Sequence, residues 1–177
     1  MDTIRLVVPT AEHETDAIAF ANEVMQTDGD GIHGSSELYT TESYALWLEN
    51  VTRSAAGEVL PHLSPADIFF AVRTCDEKIV GIINIRHTLN SEFMLNYGGH
   101  IGYTVRPQER RKGYASQMLC QAFIRCRELG FDRVLLTCDP QNAASCRVIE
   151  ACGGTMENEI PYLDTGEFVR RYWIQIS

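Results

Sequence analysis

The sequence predicts a mixed α/β fold, a sheet covered by helices. Three observations carry the prediction. Strand-like and helix-like periods alternate along the chain in the order β-α-α-β-β-β-α-β-α-β, with room for one further strand. The run I-V-G-I-I-N-I at 79–85 is almost continuously apolar, as a strand covered on both faces must be. The length of 177 residues, with 45% hydrophobic and 22% charged residues, suits one compact domain with a substantial core.

The elements follow in order. I-R-L-V-V (4–8) reads as a strand closed by Pro9. Thr10 is placed to cap a helix whose apolar positions Ala17, Ile18, Ala21, Val24 and Met25 keep helical spacing. A glycine-rich loop, D-G-D-G-I-H-G-S-S-E-L (28–38), precedes a second helix with Tyr44, Trp47, Leu48 and Val51 on one face. D-I-F-F-A-V-R (67–73) and the apolar run after Lys78 form a hairpin around Cys75-Asp76-Glu77. A loop spans 88–98, and G-H-I-G-Y-T-V (99–105) is a strand stopped by Pro107. The clearest helix is 114–129, where Ala115, Met118, Leu119, Ala122, Phe123, Cys126 and Leu129 trace one stripe, with Gly130 as its C-terminal cap. R-V-L-L-T-C (133–138) is a strand, N-A-A-S-C-R-V-I-E-A-C (142–152) a short helix ended by Gly153-Gly154, and G-E-F-V-R-R-Y-W-I-Q-I (166–176) a last strand.

Composition excludes several classes. With 15 Lys+Arg against 24 Asp+Glu, the net charge of −9 argues against a nucleic-acid-binding face but allows a local cationic site for a small anion. No apolar run is long enough to span a membrane, and the acidic second residue argues against a secretory signal, so a cytoplasmic protein is expected. The six cysteines make no C-x-x-C pair and are expected as reduced thiols. The five histidines are scattered, and no metal site is expected.

One stretch departs from the acidic background. R-P-Q-E-R-R-K-G-Y-A (106–115) gathers Arg106, Arg110, Arg111 and Lys112 and leads through Gly113 into the 114–129 helix. The first turn of a helix leaves four backbone N–H groups unpaired at the positive end of its dipole. A glycine there lets an anion approach the backbone, and Ala115 keeps the turn open, so the segment can hold phosphate. The alternative is a solvated basic loop before an ordinary core helix. Neither G-x-x-x-x-G-K-S/T nor G-x-G-x-x-G occurs.

V-R-P-Q-E-R-R-K-G-Y-A-S-Q-M-L resembles the acyl-CoA pyrophosphate loop of the GNAT acetyltransferase superfamily, Q/R-x-x-G-x-G/A. Arg110, Gly113 and Ala115 stand at its fixed positions, after Val105 and Pro107. D-P-Q-N-A-A-S-C-R-V-I-E-A-C-G-G resembles the family's second cofactor segment, with Asn142, Ser145 and Gly153 matching. The resemblance implies a mostly antiparallel sheet of six to seven strands, helices on both faces and a splayed parallel pair, about 99–105 and 133–138, at the centre. It implies a single acetyltransferase domain over 1–177: a helical acceptor side over 1–60, an acetyl-CoA core over 67–160 and a C-terminal strand over 161–177.

The implied reaction is attack of a primary amine of a small molecule or peptide on acetyl-CoA. The pantetheine arm would pair with the strand at Tyr103, Thr104 and Val105. The diphosphate would sit on Arg110, Arg111, Lys112, Gly113, Tyr114 and Ala115. Asn142, Ser145 and Arg147 would flank the arm or the adenosine end, although Asn142 also suits a helix N-cap and Arg147 a solvated face. Relatives carry a tyrosine acid seven residues after the matching Asn; here Ile149 stands there. Tyr162 or Tyr97 could replace it. His100 is the first candidate base, or a satisfied histidine packed in the sheet; Glu92 and His87 are further candidates. Acidic residues Glu12, Glu14, Asp28, Asp30, Glu37 and Glu42 would steer a cationic acceptor, and glycines 29, 31, 34, 98 and 99 mark closely approached backbone around it. The alternative is a catalytically weak acyl-CoA-binding sensor. The tail R-Y-W-I-Q-I could form an edge that pairs with a second copy in a homodimer.

Overall fold

The β2–β3 hairpin is the spine of the molecule. In the computed structural model, which describes residues 2–29, 31–60 and 63–177, β2 is Ala66–Arg73 and β3 is Ile79–Arg86, antiparallel from Ala66↔Arg86 to Ala71↔Gly81 and, after a one-residue shift, at Val72↔Ile79. The turn closes through Arg73 N–H to Lys78 O at 2.9 Å, with Glu77 held at φ 57°. Strand β1 (Ile4–Val7) pairs with the outer edge of β2, and β4 (Ile101–Val105) with the outer edge of β3. These four strands form one antiparallel sheet in the order β1-β2-β3-β4.

Both faces of this sheet are covered, which explains the unbroken apolarity of β3. On one side lie α1 (Glu14–Asp28) and α2 (Tyr44–Ala55), whose Phe20, Val24, Trp47 and Val51 pack on Ile68, Phe70, Val72 and Ile82. On the other lies α3 (Tyr114–Glu128), whose Met118, Leu119, Ala122 and Phe123 pack on Ala71, Val80, Ile83 and Ile85. Each fully buried Ile or Phe contributes about 1.5–3 kcal/mol. Thr10 does not start α1 directly. It opens a short turn, Ala11–His13, in which its N–H donates to His13 Nδ1 at 3.0 Å. Ser43 caps α2 by accepting from Leu46 N–H.

The remaining strands form a second sheet in the order β5-β7-β6, all antiparallel: β5 is Arg133–Cys138, β6 Thr155–Tyr162 and β7 Glu167–Gln175. Helix α4 (Ala143–Ala151) packs through Cys146 and Ile149 into the core shared with α3. The seven strands are thus split into two sheets at the expected central pair, β4 and β5. The expected loop at 88–98 contains a wide helical turn, Met94–Gly98, closed by Gly99 N–H to Met94 O. The C-terminal tail is not an edge: β7 lies between β5 and β6, so its backbone groups are already paired. The edges of this sheet are β5, which faces β4, and β6, whose residues are mostly exposed and include Glu157, Glu159 and Pro161. Those are residues that discourage pairing with another chain.

Candidate functional site

Strands β4 and β5 touch at one point and then part. His100 N–H donates to Leu135 O at 2.7 Å, and Leu135 N–H donates back to His100 Nδ1 at 2.9 Å. No ladder joins the two strands beyond that pair among the described residues. His100 O and Arg106 N–H bond to Arg86 and Val80 of β3. Strand alternation therefore turns the peptide groups of Ile101, Tyr103 and Val105 away from β3, toward the gap. Asn84, buried in the middle of β3, takes Gly102 N–H on its side-chain oxygen at 2.8 Å. Thr104 points the other way and donates to His33 O at 2.9 Å.

At the far end of β4 the chain turns through Pro107–Glu109 into the basic loop and α3. Gly113 is the N-cap of α3 with φ 80° and ψ 6°, and no side chain caps the helix. Among the described residues, no carbonyl or side chain takes up the N–H groups of Arg111 through Ser116; the first bond inward is Gln117 N–H to Gly113 O at 3.2 Å. Six successive donors at the positive end of a fifteen-residue helix thus have no acceptor among the described residues, an arrangement suited to phosphate.

The four cations of this loop divide in a way that charge counting did not anticipate. Arg106 is buried (2% exposed) and grips α1, with Nε and one terminal nitrogen on the Glu23 carboxylate at 2.8 Å and the other on Asp16 at 2.8 Å. Its hydrogen bonds hold Glu23 below the usual carboxylate range. Arg110 pairs bidentately with Asp28 at the end of α1 and caps Val105 O at 3.1 Å. Lys112 is bound to Glu109 at 2.7 Å, a carboxylate that Arg73 shares. Arg111 alone has no protein partner among the described residues; it is exposed, with φ 64°. Of the four, one side chain is free for a ligand. Tyr114 is buried beneath the turn beside Arg73, and Ala115 is half-buried at its mouth.

Helix α4 forms the opposite wall. Asn142 accepts Ser145 N–H at 3.0 Å and so acts as the N-cap of α4. Ser145 Oγ lies 3.0 Å from Tyr103 OH, tying β4 to α4 across the gap, and burial pushes the Tyr103 hydroxyl up to about 12. Arg147 is exposed with no partner among the described residues. Ile149 is fully buried and packs against Gly154, so no hydroxyl stands at that position of α4.

The expected base is a bridge in this structure. A neutral imidazole has one lone pair, and that of His100 is engaged by Leu135 N–H. Burial pushes its pKa down to about 4, with Arg86 nearby adding to the shift. His87 lies elsewhere, 3.2 Å from Asp67, which Arg125 of α3 also holds. Glu92 is exposed beside the Met94–Gly98 turn. Tyr162 ends β6 with its ring edge-on to Tyr97 at 5.0 Å, and Tyr97 O is fixed to β5 by Thr137 Oγ1 at 2.7 Å. Both aromatic residues thus lie on the side of β5 beyond Leu135, where the two strands have parted. Of the acidic residues expected to steer an acceptor, Asp28 is occupied by Arg110, and Asp30 lies outside the described residues. Gly34 is where the 28–38 loop meets β4: a Cβ there would stand 2.2 Å from Gly102 O. Among the described residues no cluster of three or more His, Cys, Asp or Glu could hold a metal ion.

Residues 4–155 match the model of the acetyltransferase (GNAT) domain. The chain belongs to the GNAT acetyltransferase family. Solved structures of GNAT-type fold agree with this over nearly the whole chain. The microcin C7 self-immunity acetyltransferase MccE, in complex with acetyl-CoA and AMP, aligns with a TM-score of 0.71 at 17% identity, covering 99% of this chain and 93% of that one. The ribosomal L7/L12 α-N-protein acetyltransferase RimL, in complex with coenzyme A, aligns with a TM-score of 0.68 at 16% identity, covering 98% and 94%. A GNAT-family acetyltransferase from Streptococcus pneumoniae aligns at 0.65 and 20% identity, covering 98% and 99%. No protein of curated function matches the chain by sequence. Sequence reading missed the Arg106–Glu23–Asp16 cluster and the Tyr103–Ser145 tie. The one signal for the first was the acidic spacing Asp16, Glu23, Asp28 along α1.

Proposed function

We propose that this GNAT family member is an N-acetyltransferase that uses acetyl-CoA to acetylate a primary amine of a small molecule or peptide. The observation that carries the reading is the row of unpaired N–H groups from Arg111 to Ser116, led by the left-handed Gly113 and left unplugged by the protein's own side chains. A coenzyme A diphosphate fits that cradle, with Arg111 as its free cation. The outward peptide groups of Tyr103 and Val105 would align a pantetheine arm along β4, and Asn142 and Ser145 would border it from α4.

The donor supplies an activated acetyl thioester; the chain supplies position and polarity. A donor anchored at Gly113 and running along β4 toward His100 would present its acetyl group to the amine inside the gap. An N–H of β4 turned into the gap stabilises negative charge developing on the carbonyl oxygen. With the His100 lone pair engaged, the amine proton passes to water or to the exposed Glu92 carboxylate. Tyr162 would be the hydroxyl that protonates the departing thiolate. Alignment alone supplies much of the rate in such a transfer.

A second reading is favoured by one observation: the buried Ile149 side chain leaves no hydroxyl at that position of α4, which an acyl-CoA sensor would not need. Titration calorimetry with acetyl-CoA and thiol release with a panel of amines separate the two. Saturable binding with thiol release on at least one amine supports the transferase, binding without release on any amine supports the sensor, and no binding at millimolar donor removes both.

A further inference from the structure

Four of the six cysteines surround α4, and two of them meet inside the protein. Cys138 ends β5 and Cys146 lies one turn into α4; their sulfurs are 2.9 Å apart, and both residues are buried. That separation is shorter than two unbonded sulfurs prefer and about 0.9 Å longer than an S–S bond. Nothing in the acetyl-transfer reading uses either thiol. The surroundings are also unlike an apolar core. Arg170 of β7 places a guanidinium nitrogen 4.0 Å from Cys146 Sγ, while its other side holds Glu159. Asp139 O lies 3.7 Å from the same sulfur. A cation at that distance stabilises negative charge on the sulfur as it attacks an oxidant.

We infer that Cys138 and Cys146 are a peroxide-oxidisable dithiol whose disulfide fastens the start of α4 to the end of β5. The chemistry balances with hydrogen peroxide as the oxidant. The Cys146 sulfur attacks one peroxide oxygen, the O–O bond breaks, and the thiol proton leaves with the departing hydroxide as water, giving a sulfenic acid. Cys138 Sγ then attacks that sulfur, the S–O bond breaks, and the Cys138 proton leaves with the second hydroxide as water. Two thiols are oxidised, one peroxide is reduced, and the chain loses two hydrogens. Burial holds the Cys138 thiol well above its ordinary value, which suits the second, resolving role rather than the first.

The bond would close a short loop, 138–146, that contains the Asn142 cap and Ser145, the side chain tied to Tyr103. It therefore acts on a wall of the site read above as donor-binding, but its formation does not depend on that reading and is measured without any donor. Cys152 and Cys120 lie near each other on the α3 side of α4, with Cys120 exposed; they are the competing pair.

The test treats the full-length reduced protein with stoichiometric hydrogen peroxide, then denatures it and alkylates it with N-ethylmaleimide. Four labels in place of six, a mass loss of about 2 Da, a Cys138–Cys146 cross-linked peptide and recovery of all six labels with dithiothreitol are expected. A Cys75→Ser/Cys120→Ser variant should still form the bond, and Cys146→Ser should not, retaining its remaining five thiols. Slower amide exchange over 142–146 in the oxidised protein is expected from the fastening. Six labels after treatment, or a cross-link between Cys120 and Cys152 instead, would overturn the assignment.

Discussion

Two residues decide most of what the site can do. Gly113 leads into the turn of unpaired N–H groups at φ 80°, a conformation that costs a residue with a side chain about 1–2 kcal/mol. Gly113→Ala should therefore weaken acetyl-CoA binding about tenfold in calorimetry, since tenfold corresponds to about 1.4 kcal/mol. The melting temperature should move far less, because the turn is at the surface. His100 makes an opposite prediction, about stability rather than binding. Its folded pKa of about 4 lies below the unfolded value of about 6.5, so the unfolded chain binds the extra proton between those values. Stability from this group is therefore fully present above about pH 6.5 and is lost as the pH falls toward 4, by roughly 2–3 kcal/mol. His100→Asn, whose side-chain oxygen can replace Nδ1 as acceptor for Leu135 N–H, should fold and lose this acid sensitivity in denaturant titrations at pH 4.5, 5.5 and 7. His100→Leu also lacks the titrating group but leaves that N–H unpaired, so it should be about 1–3 kcal/mol less stable than His100→Asn at every pH. Equal acid sensitivity in the Asn variant would assign the effect to another group.

At the scale of elements, the basic loop is held in place by α1. Arg106 and Arg110 read, in one dimension, as positive charge offered to a ligand; in the fold they are the anchors of the loop on Asp16, Glu23 and Asp28. Glu23→Gln weakens the hold on a buried guanidinium and should cost about 2 kcal/mol, read as a fall in the denaturation midpoint. Asp28→Asn breaks a more exposed pair, worth about 0.5–1 kcal/mol. Its effect should fall on the donor instead: a raised KM for acetyl-CoA with kcat nearly unchanged, restored by Asp28→Glu. The order of elements and the helix N-terminus were legible because they depend on local spacing: the 114–129 stripe, the apolar β3, the glycine before a helix. What depends on contacts far apart in the chain was not legible. The partners of Arg106 are 83 and 90 residues away, and the Leu135 N–H that engages His100 is 35 away. Strand β6 escaped notice for another reason: an exposed edge strand carrying Glu157, Glu159 and Pro161 has no apolar alternation to reveal it.

The molecule has two sheets that share a core but, among the described residues, are joined directly by one pair of backbone and ring hydrogen bonds, at His100 and Leu135. A ligand lying along β4, anchored on α3 and bordered by α4, would span that division and supply contacts to both sides. Linkage then makes the whole fold more resistant to heat, because the unfolded chain has no such cradle. At a coenzyme A concentration one hundred times its Kd the gain is about 2.7 kcal/mol, and for a chain of this size each kcal/mol is worth about 2–4 °C. The melting temperature should therefore rise by roughly 5–10 °C with coenzyme A, and by far less with adenosine, which lacks the diphosphate. The net charge of −9 repels this anion at long range, while Arg111 attracts it at the α3 turn. Added salt screens both the repulsion and the attraction of Arg111, so the shift should change little between low and moderate ionic strength, provided backbone N–H groups rather than side-chain charge do the holding. A shift that collapses with salt would place the affinity on the side-chain cations instead, and the same shift with adenosine would place it away from the turn.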